Sequence, residues 1–112
     1  MLLYRRDRMF IASLTFDVRS DKRVEFVGAV TGVLDTLRWC SGCLGCRLYS
    51  DCENGNVFML CSEWDNRAFL GSYLASPEFQ ILEGTSFLLR SGPSLVVDEV
   101  VARARVPRRQ RR

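Results

Sequence analysis

Four of the five cysteines in this chain fall within residues 38–52, RWCSGCLGCRLYSDC, and Cys40, Cys43 and Cys46 stand three apart. Thiolates at that spacing ligate iron–sulfur clusters and zinc, and a Cys-x-x-Cys pair can run redox chemistry. Other residues weigh against these uses. The chain has no histidine and no Cys-x-x-Cys outside this one overlapping run, so the paired ligand sets of zinc sites are missing. If Cys46 and Cys52 share one strand, they stand up to ~20 Å apart along it, too far to hold one ion. Cys40 and Cys43 are expected at the C-terminal end of a helix, where the dipole raises a thiol pKa, whereas activated thiols sit at N-terminal ends. The cysteines are therefore read as structural, with Cys46 packed as a small hydrophobe. No metal and no cofactor is expected.

The elements that place these residues belong to one domain. The 112 residues suffice for a single core; 47% are hydrophobic and 26% charged, ordinary values for a folded soluble protein. No apolar run approaches the roughly 20 residues of a membrane-spanning helix. The opening MLLYRRDRMFIASLTFDV sets basic residues before an apolar stretch, as a signal peptide does. That stretch is broken by Ser13 and Thr15, stops at Asp17 and lacks a small-residue cleavage site. Residues 1–8 are read as a leader, 9–102 as the domain and 103–112 as a basic tail. With an odd cysteine count and no export signal, the expected compartment is the cytoplasm. Six arginines (Arg103, Arg105, Arg108, Arg109, Arg111 and Arg112) lie in the last ten residues, and they dominate the net charge of +3. Setting them aside leaves 10 of the 16 basic side chains against 13 acidic ones, the wrong sign for specific nucleic-acid binding by the folded part.

Residues 9–18, MFIASLTFDV, alternate as a strand with Phe10, Ala12, Leu14 and Phe16 on one face. A helix follows, with Ser20 as the expected N-cap, Phe26, Val30, Val33, Leu34 and Leu37 at helical spacing, and Gly42 to end it. Asn54-Gly55 marks a hairpin between CLGCRLYSD and VFMLCSEW. Asp65 is expected to cap a short helix, and Ser76-Pro77 to begin a second helical piece running towards residue 92. The turn SGPS then leads to a last strand from Leu95.

Strand, helix, strand, strand, helix, strand folds by right-handed crossovers into a ferredoxin-like α+β domain, a four-stranded antiparallel sheet with its helices on one face. Yet the third strand is apolar on both sides, with Val57, Met59 and Cys61 opposite Phe58, Leu60 and Trp64. The last strand repeats this with Leu95 and Val97 against Val96 and Val100. An open face this apolar implies burial against a second copy, hence a homodimer, a dimeric α+β barrel.

GCLGCRLYSD, FMLCSEW and FLGSYLASPEF, in that order and spacing, resemble the antibiotic biosynthesis monooxygenase family of small dimeric α+β barrels. Counting the first strand and helix, the resemblance covers roughly residues 9–100. It implies oxygenation of a small aromatic substrate (phenolic, anthrone- or quinol-like) with dioxygen and without a cofactor. Such chemistry needs a substrate carbanion that reduces dioxygen directly, an apolar pocket, a group to steer a phenolic proton and a donor for the oxyanion.

The resemblance places Trp64, Asn66 and Tyr73 as catalytic candidates, with Trp64 as an aromatic wall. Arg90, Arg67, Phe16, Phe79 and Phe87 are the expected substrate-binding residues. Each has a plain packing or surface alternative: core for Trp64, a first-turn position for Asn66, solvated surface for Arg67 and Arg90. Tyr73 and Glu78 stand where relatives often carry histidine, so imidazole-based catalysis and histidine-ligated haem are both excluded. A non-catalytic dimeric barrel that binds a small hydrophobic ligand is the second reading, and a metal or redox protein the third.

Overall fold

The computed structural model describes residues 3–5, 8–101 and 103–107, with backbone alone for 3–5, 103 and 105. Short strands β1 (Leu3–Arg5) and β6 (Arg103–Arg105) pair antiparallel, which brings residues 3–5 beside 103–105. Of the tail arginines, Arg108, Arg109, Arg111 and Arg112 lie outside the described residues.

β2 (Met9–Val18) buries Phe10, Ala12, Leu14, Phe16 and Val18 on one face, as its alternation predicts. The chain then departs from the expected Ser20 cap. Ser20–Lys22 forms a 3-10 turn, and α1 (Arg23–Leu37) starts after it without a side-chain cap. Backbone carbonyls fill that role: Arg19 N–H donates to Leu88 O at 3.0 Å and Lys22 N–H to Arg19 O at 2.8 Å. Phe26, Val30, Val33, Leu34 and Leu37 form the buried stripe of α1.

β3 (Cys43–Ser50) and β4 (Val57–Trp64) form the hairpin expected from Asn54-Gly55. The Asp51 carboxylate accepts from the N–H groups of Glu53 (2.8 Å) and Asn54 (3.3 Å) and shapes its loop. α2 (Arg67–Leu74) is capped by Asn66 and not by Asp65; its Oδ1 accepts from Phe69 N–H at 3.0 Å. α3 (Pro77–Glu83) begins as expected, with Ser76 Oγ accepting from Phe79 N–H and Pro77 in the first turn.

The last strand begins earlier than its sequence suggests. After a 3-10 turn over Gly84–Leu88, β5 (Leu89–Val100) takes in the SGPS segment as an irregularity opposite Thr15–Val18. A bulge absorbs the glycine and proline on an edge strand, where neither costs a ladder bond on both sides. Arg90 therefore lies on a strand.

The four strands order as β3-β4-β2-β5, all antiparallel, with the helices on one face: the ferredoxin-like α+β arrangement. The core lies between that face and the helices and includes Phe16, Phe26, Phe58, Leu60, Trp64 and Leu82. The other face carries Ile11, Thr15, Tyr49, Val57, Met59, Cys61 and Val96, with Tyr49 at 49%, Met59 at 38% and Val96 at 53% exposure. Leu95 and Val97 pair with Leu14 and Ala12 and so share the helix side, yet remain about as exposed. Among the described residues no helix is long and apolar enough to cross a membrane.

Candidate functional site

Trp64 ends β4 and Tyr73 lies in the last turn of α2; the crossover between them brings both beneath the helix layer. Their rings stack with centroids 4.7 Å apart and planes 18° from parallel. Phe79 of α3 meets Tyr73 edge-on at 5.3 Å. The polar ends of the stack turn towards the sheet. Trp64 Nε1 donates to Ser62 Oγ at 2.9 Å, Ser62 in turn donates to Ala12 O at 3.4 Å, and Ser62 also hydrogen-bonds with the Tyr73 phenol. Ser62 is fully buried, and this network satisfies it.

The other side of the stack borders a cavity of about 310 Å3 lined by Cys40, Ser41, Trp64, Phe69, Ser72, Tyr73 and Ser76. Phe69 and Tyr73 are one helical turn apart on α2, and Ser76 caps the next helix, so one face of α2 and the cap that follows it supply one wall. The turn after α1 supplies another through Cys40 and Ser41. This volume fits a small aromatic molecule, and mostly apolar walls with a few hydroxyls are what such ligands select. A larger hollow of about 420 Å3 beside β3 is walled by Arg38, Arg47 and residues 43–46 and has no aromatic wall.

Burial drives the Tyr73 phenol well above its ordinary pKa of 10.0; the neighbouring Cys46 thiol adds to this, and the Ser62 hydrogen bond opposes it. Tyr73 is therefore a neutral hydrogen-bonding group at physiological pH and not a base. Burial, helped by Glu78, also raises the Cys40 thiol. Among the described residues no three or more His, Cys, Asp or Glu side chains gather in a way that could hold a metal ion.

Of the residues singled out by sequence, Trp64 and Tyr73 line the cavity, and Phe79 supports Tyr73 from behind. The others lie elsewhere. Asn66 is an exposed cap engaged with Phe69 N–H, and Arg67 spreads its guanidinium over the Phe10 ring at 5.2 Å. Arg90 is carried away on the exposed edge strand because β5 begins at Leu89. Phe16 is sealed in the core against Phe26, centroids 4.9 Å apart, and Phe87 is 69% exposed in the 3-10 turn. Sequence reasoning missed Cys40, Ser41, Phe69, Ser72, Ser76 and Ser62. The one-turn spacing of Phe69 and Tyr73 on α2 was the available signal.

A family model described as antibiotic biosynthesis monooxygenase matches residues 9–81. No curated protein matches the chain. Among solved structures, a conserved protein from Methanosarcina mazei Go1 superposes with a TM-score of 0.76 at 19% identity, covering 80% of this chain and 90% of that one. An antibiotic biosynthesis monooxygenase of known crystal structure superposes at 0.74 with 17% identity, covering 82% and 98%. A conserved protein of unknown function from Bacteroides thetaiotaomicron VPI-5482 gives 0.67 at 15% identity, covering 86% and 98%. At these identities the structural likeness speaks for the fold.

Proposed function

The chain belongs to the antibiotic biosynthesis monooxygenase family, and on that premise we propose that the Trp64–Tyr73 cavity binds a small phenolic aromatic, anthrone- or quinol-like, and oxidises it with dioxygen without a cofactor. The observation that carries this reading is the largely apolar hollow of about 310 Å3 bounded by two stacked aromatic rings and by Phe69. A flat substrate gains dispersion and ring–ring contact against Trp64, worth about 0.5–1.5 kcal/mol beyond area burial. The hydroxyls of Ser41 and Ser72 offer hydrogen bonds to a phenolic oxygen, while Tyr73, its own hydroxyl engaged with Ser62, contributes ring surface. The ionised substrate passes electrons directly to dioxygen; one oxygen atom enters the ring and the other leaves as water.

A second reading, a dimeric barrel that binds a hydrophobic ligand without turnover, is favoured by one observation. No side chain lining the cavity is a base at neutral pH. In both readings the protein is a homodimer that buries the open sheet face around Met59, Tyr49 and Val96; their exposure in the single chain supports this. Cytoplasmic residence belongs to the same proposal and is supported by five cysteines that are all unpaired.

Oxygen consumption against a panel of anthrones and hydroquinones separates the two readings. Trp39→Phe, which removes the 90% exposed indole, leaves Trp64 as the only fluorescent tryptophan for parallel ligand titrations. Uptake of dioxygen with product formation supports the oxygenase. A Trp64 response to ligand with no uptake assigns the binding module. Neither response removes the cavity as a site.

A further inference from the structure

Cys40, Ser41, Gly42 and Cys43 join α1 to β3, and the N–H of Cys43 donates to Cys40 O at 3.1 Å. Gly42, the third residue of this turn, has φ +79°. That bond with a positive φ at the third position is the mark of a type II β-turn, which keeps its first and last Cα atoms within about 7 Å. A disulfide spans about 4.4–6.8 Å between Cα atoms. Both thiols are free and half-buried, and each is held only by a weak contact to a carbonyl: Cys40 Sγ to Thr36 O and Cys43 Sγ to Gly45 O, both 3.6 Å. Beyond these contacts, rotation about χ1 gives up only part of each thiol's packing against the core.

We propose that Cys40 and Cys43 form a reversible disulfide that locks the turn walling the Trp64–Tyr73 cavity. The other thiols are placed differently. Cys46 is 5% exposed inside the sheet–helix core, Cys61 lies on the opposite face of the sheet, and Cys52 is out in the hairpin loop. The regulatory consequence rests on the reading of that cavity as the substrate site. Cys40 lines it directly, and Gly42 packs against the Phe69 ring that forms the facing wall. Linking the sulfurs draws Cys40 Sγ away from Thr36 towards Cys43 and removes freedom from the turn.

The oxidant is a hydroperoxide, hydrogen peroxide in the simplest case. One thiolate of the pair attacks the peroxide oxygen, giving a sulfenic acid and, with a proton, water. The second thiol attacks that sulfur, forming the S–S bond and releasing a second water. Two electrons pass from the two thiols to the peroxide. Peroxide is also what an oxygenase releases when reduced dioxygen escapes before reaching the substrate, so the pair stands where such leakage emerges. Burial holds both thiols above their ordinary pKa, which makes the pair slow and answerable to sustained oxidant.

The test treats the full chain with hydrogen peroxide, blocks remaining thiols and maps the peptides by mass spectrometry. The expected product is an intrachain Cys40–Cys43 link, lighter by two hydrogens, reversed by dithiothreitol and absent from both Cys40→Ser and Cys43→Ser. Links through other cysteines, chain-to-chain dimers through Cys52, or oxidation of Cys40 without a link overturn the proposal. Equilibrium dialysis with 1-naphthol then compares the reduced and linked forms. Several-fold weaker binding by the linked form is expected; equal affinity overturns the regulatory role. If the reduced protein binds no 1-naphthol, the cavity reading falls and the regulatory role with it, while the peptide map still decides whether the disulfide forms.

Discussion

Trp64 Nε1 donates to Ser62 Oγ at 2.9 Å, two residues back along the same strand and on the same inward face. That one contact fixes the indole plane, and Tyr73 stacks on it. Replacing Ser62 by alanine strands a buried N–H, which costs about 1–3 kcal/mol. The expected result is a loss of unfolding free energy of that size in urea titration, with a changed near-UV spectrum. Tyr73→Phe removes a hydroxyl but keeps the ring, and is expected to cost less than Ser62→Ala. A Ser62→Ala protein as stable as the parent would show that the indole has another partner.

Gly42 combines a left-handed backbone with closeness to Phe69. At φ +79° a Cβ is strained, and the Cβ of an alanine would fall within the Phe69 ring. The backbone term is about 1–2 kcal/mol and the overpacking term about 1–3 kcal/mol. Gly42→Ala is therefore expected to destabilise the fold by several kcal/mol in urea. Phe69→Ala removes the ring but keeps its own Cβ, which the new methyl also meets, so it should relieve part of the second term and leave the first, and the double variant is expected to fall short of additivity.

Stability should decline in alkali for a specific reason. Burial pushes the Cys46 thiol from 9.0 up to about 12, and it raises the Tyr73 phenol from 10.0 as well. Between each unfolded and folded pKa the native state binds the extra proton, so stability is full below the unfolded value and falls as pH rises through the window. For Cys46 that window runs from 9.0 to about 12. Urea midpoints taken across it are expected to drop steadily, and Cys46→Ala should flatten the decline. Below pH 8 neither group should contribute any slope.

Much of this fold was legible because its signals are local. The alternation of Phe10 to Phe16, the stripe from Phe26 to Leu37, Asn54-Gly55 and Ser76-Pro77 each specify their own element. The start of β5 was not legible, since Ser91-Gly92-Pro93-Ser94 reads as a turn until pairing with β2 makes it a bulged strand. That error also misplaced Arg90. Trp64 and Tyr73, to which the family resemblance pointed, both line the cavity. Cys40 and Ser41 were not legible, because they enter through a turn whose position depends on Gly42 packing against Phe69. Phe16 carried no mark to distinguish a core ring from a pocket ring.

The homodimer predicted from the open sheet face can be tested at one position. Met59 is 38% exposed at the middle of β4, opposite Thr15 and Tyr49 on its two neighbouring strands. A charge there would be desolvated in a dimer and harmless in a monomer. Met59→Lys is expected to shift sedimentation from dimer to monomer with little change in the thermal unfolding of the single domain. A parent protein that sediments as a monomer at high concentration would remove the dimer.

The pH dependence of turnover discriminates most sharply among mechanisms. An oxygenase of this kind needs an ionised substrate, and the cavity offers no base to make one: Tyr73 and Cys40 both hold their protons more tightly than usual. Ionisation must therefore come from the substrate's own acidity in solution or at the cavity mouth. The rate at saturating dioxygen should rise about tenfold per pH unit until the substrate's own pKa is reached, then level off. Two substrates of different acidity should give two different midpoints on the same protein. Ser72→Ala should lower the plateau, through loss of a hydrogen bond to the phenolic oxygen, and leave the midpoints in place. A single midpoint near neutrality shared by all substrates would instead point to a titrating group on the protein and overturn this account of the site.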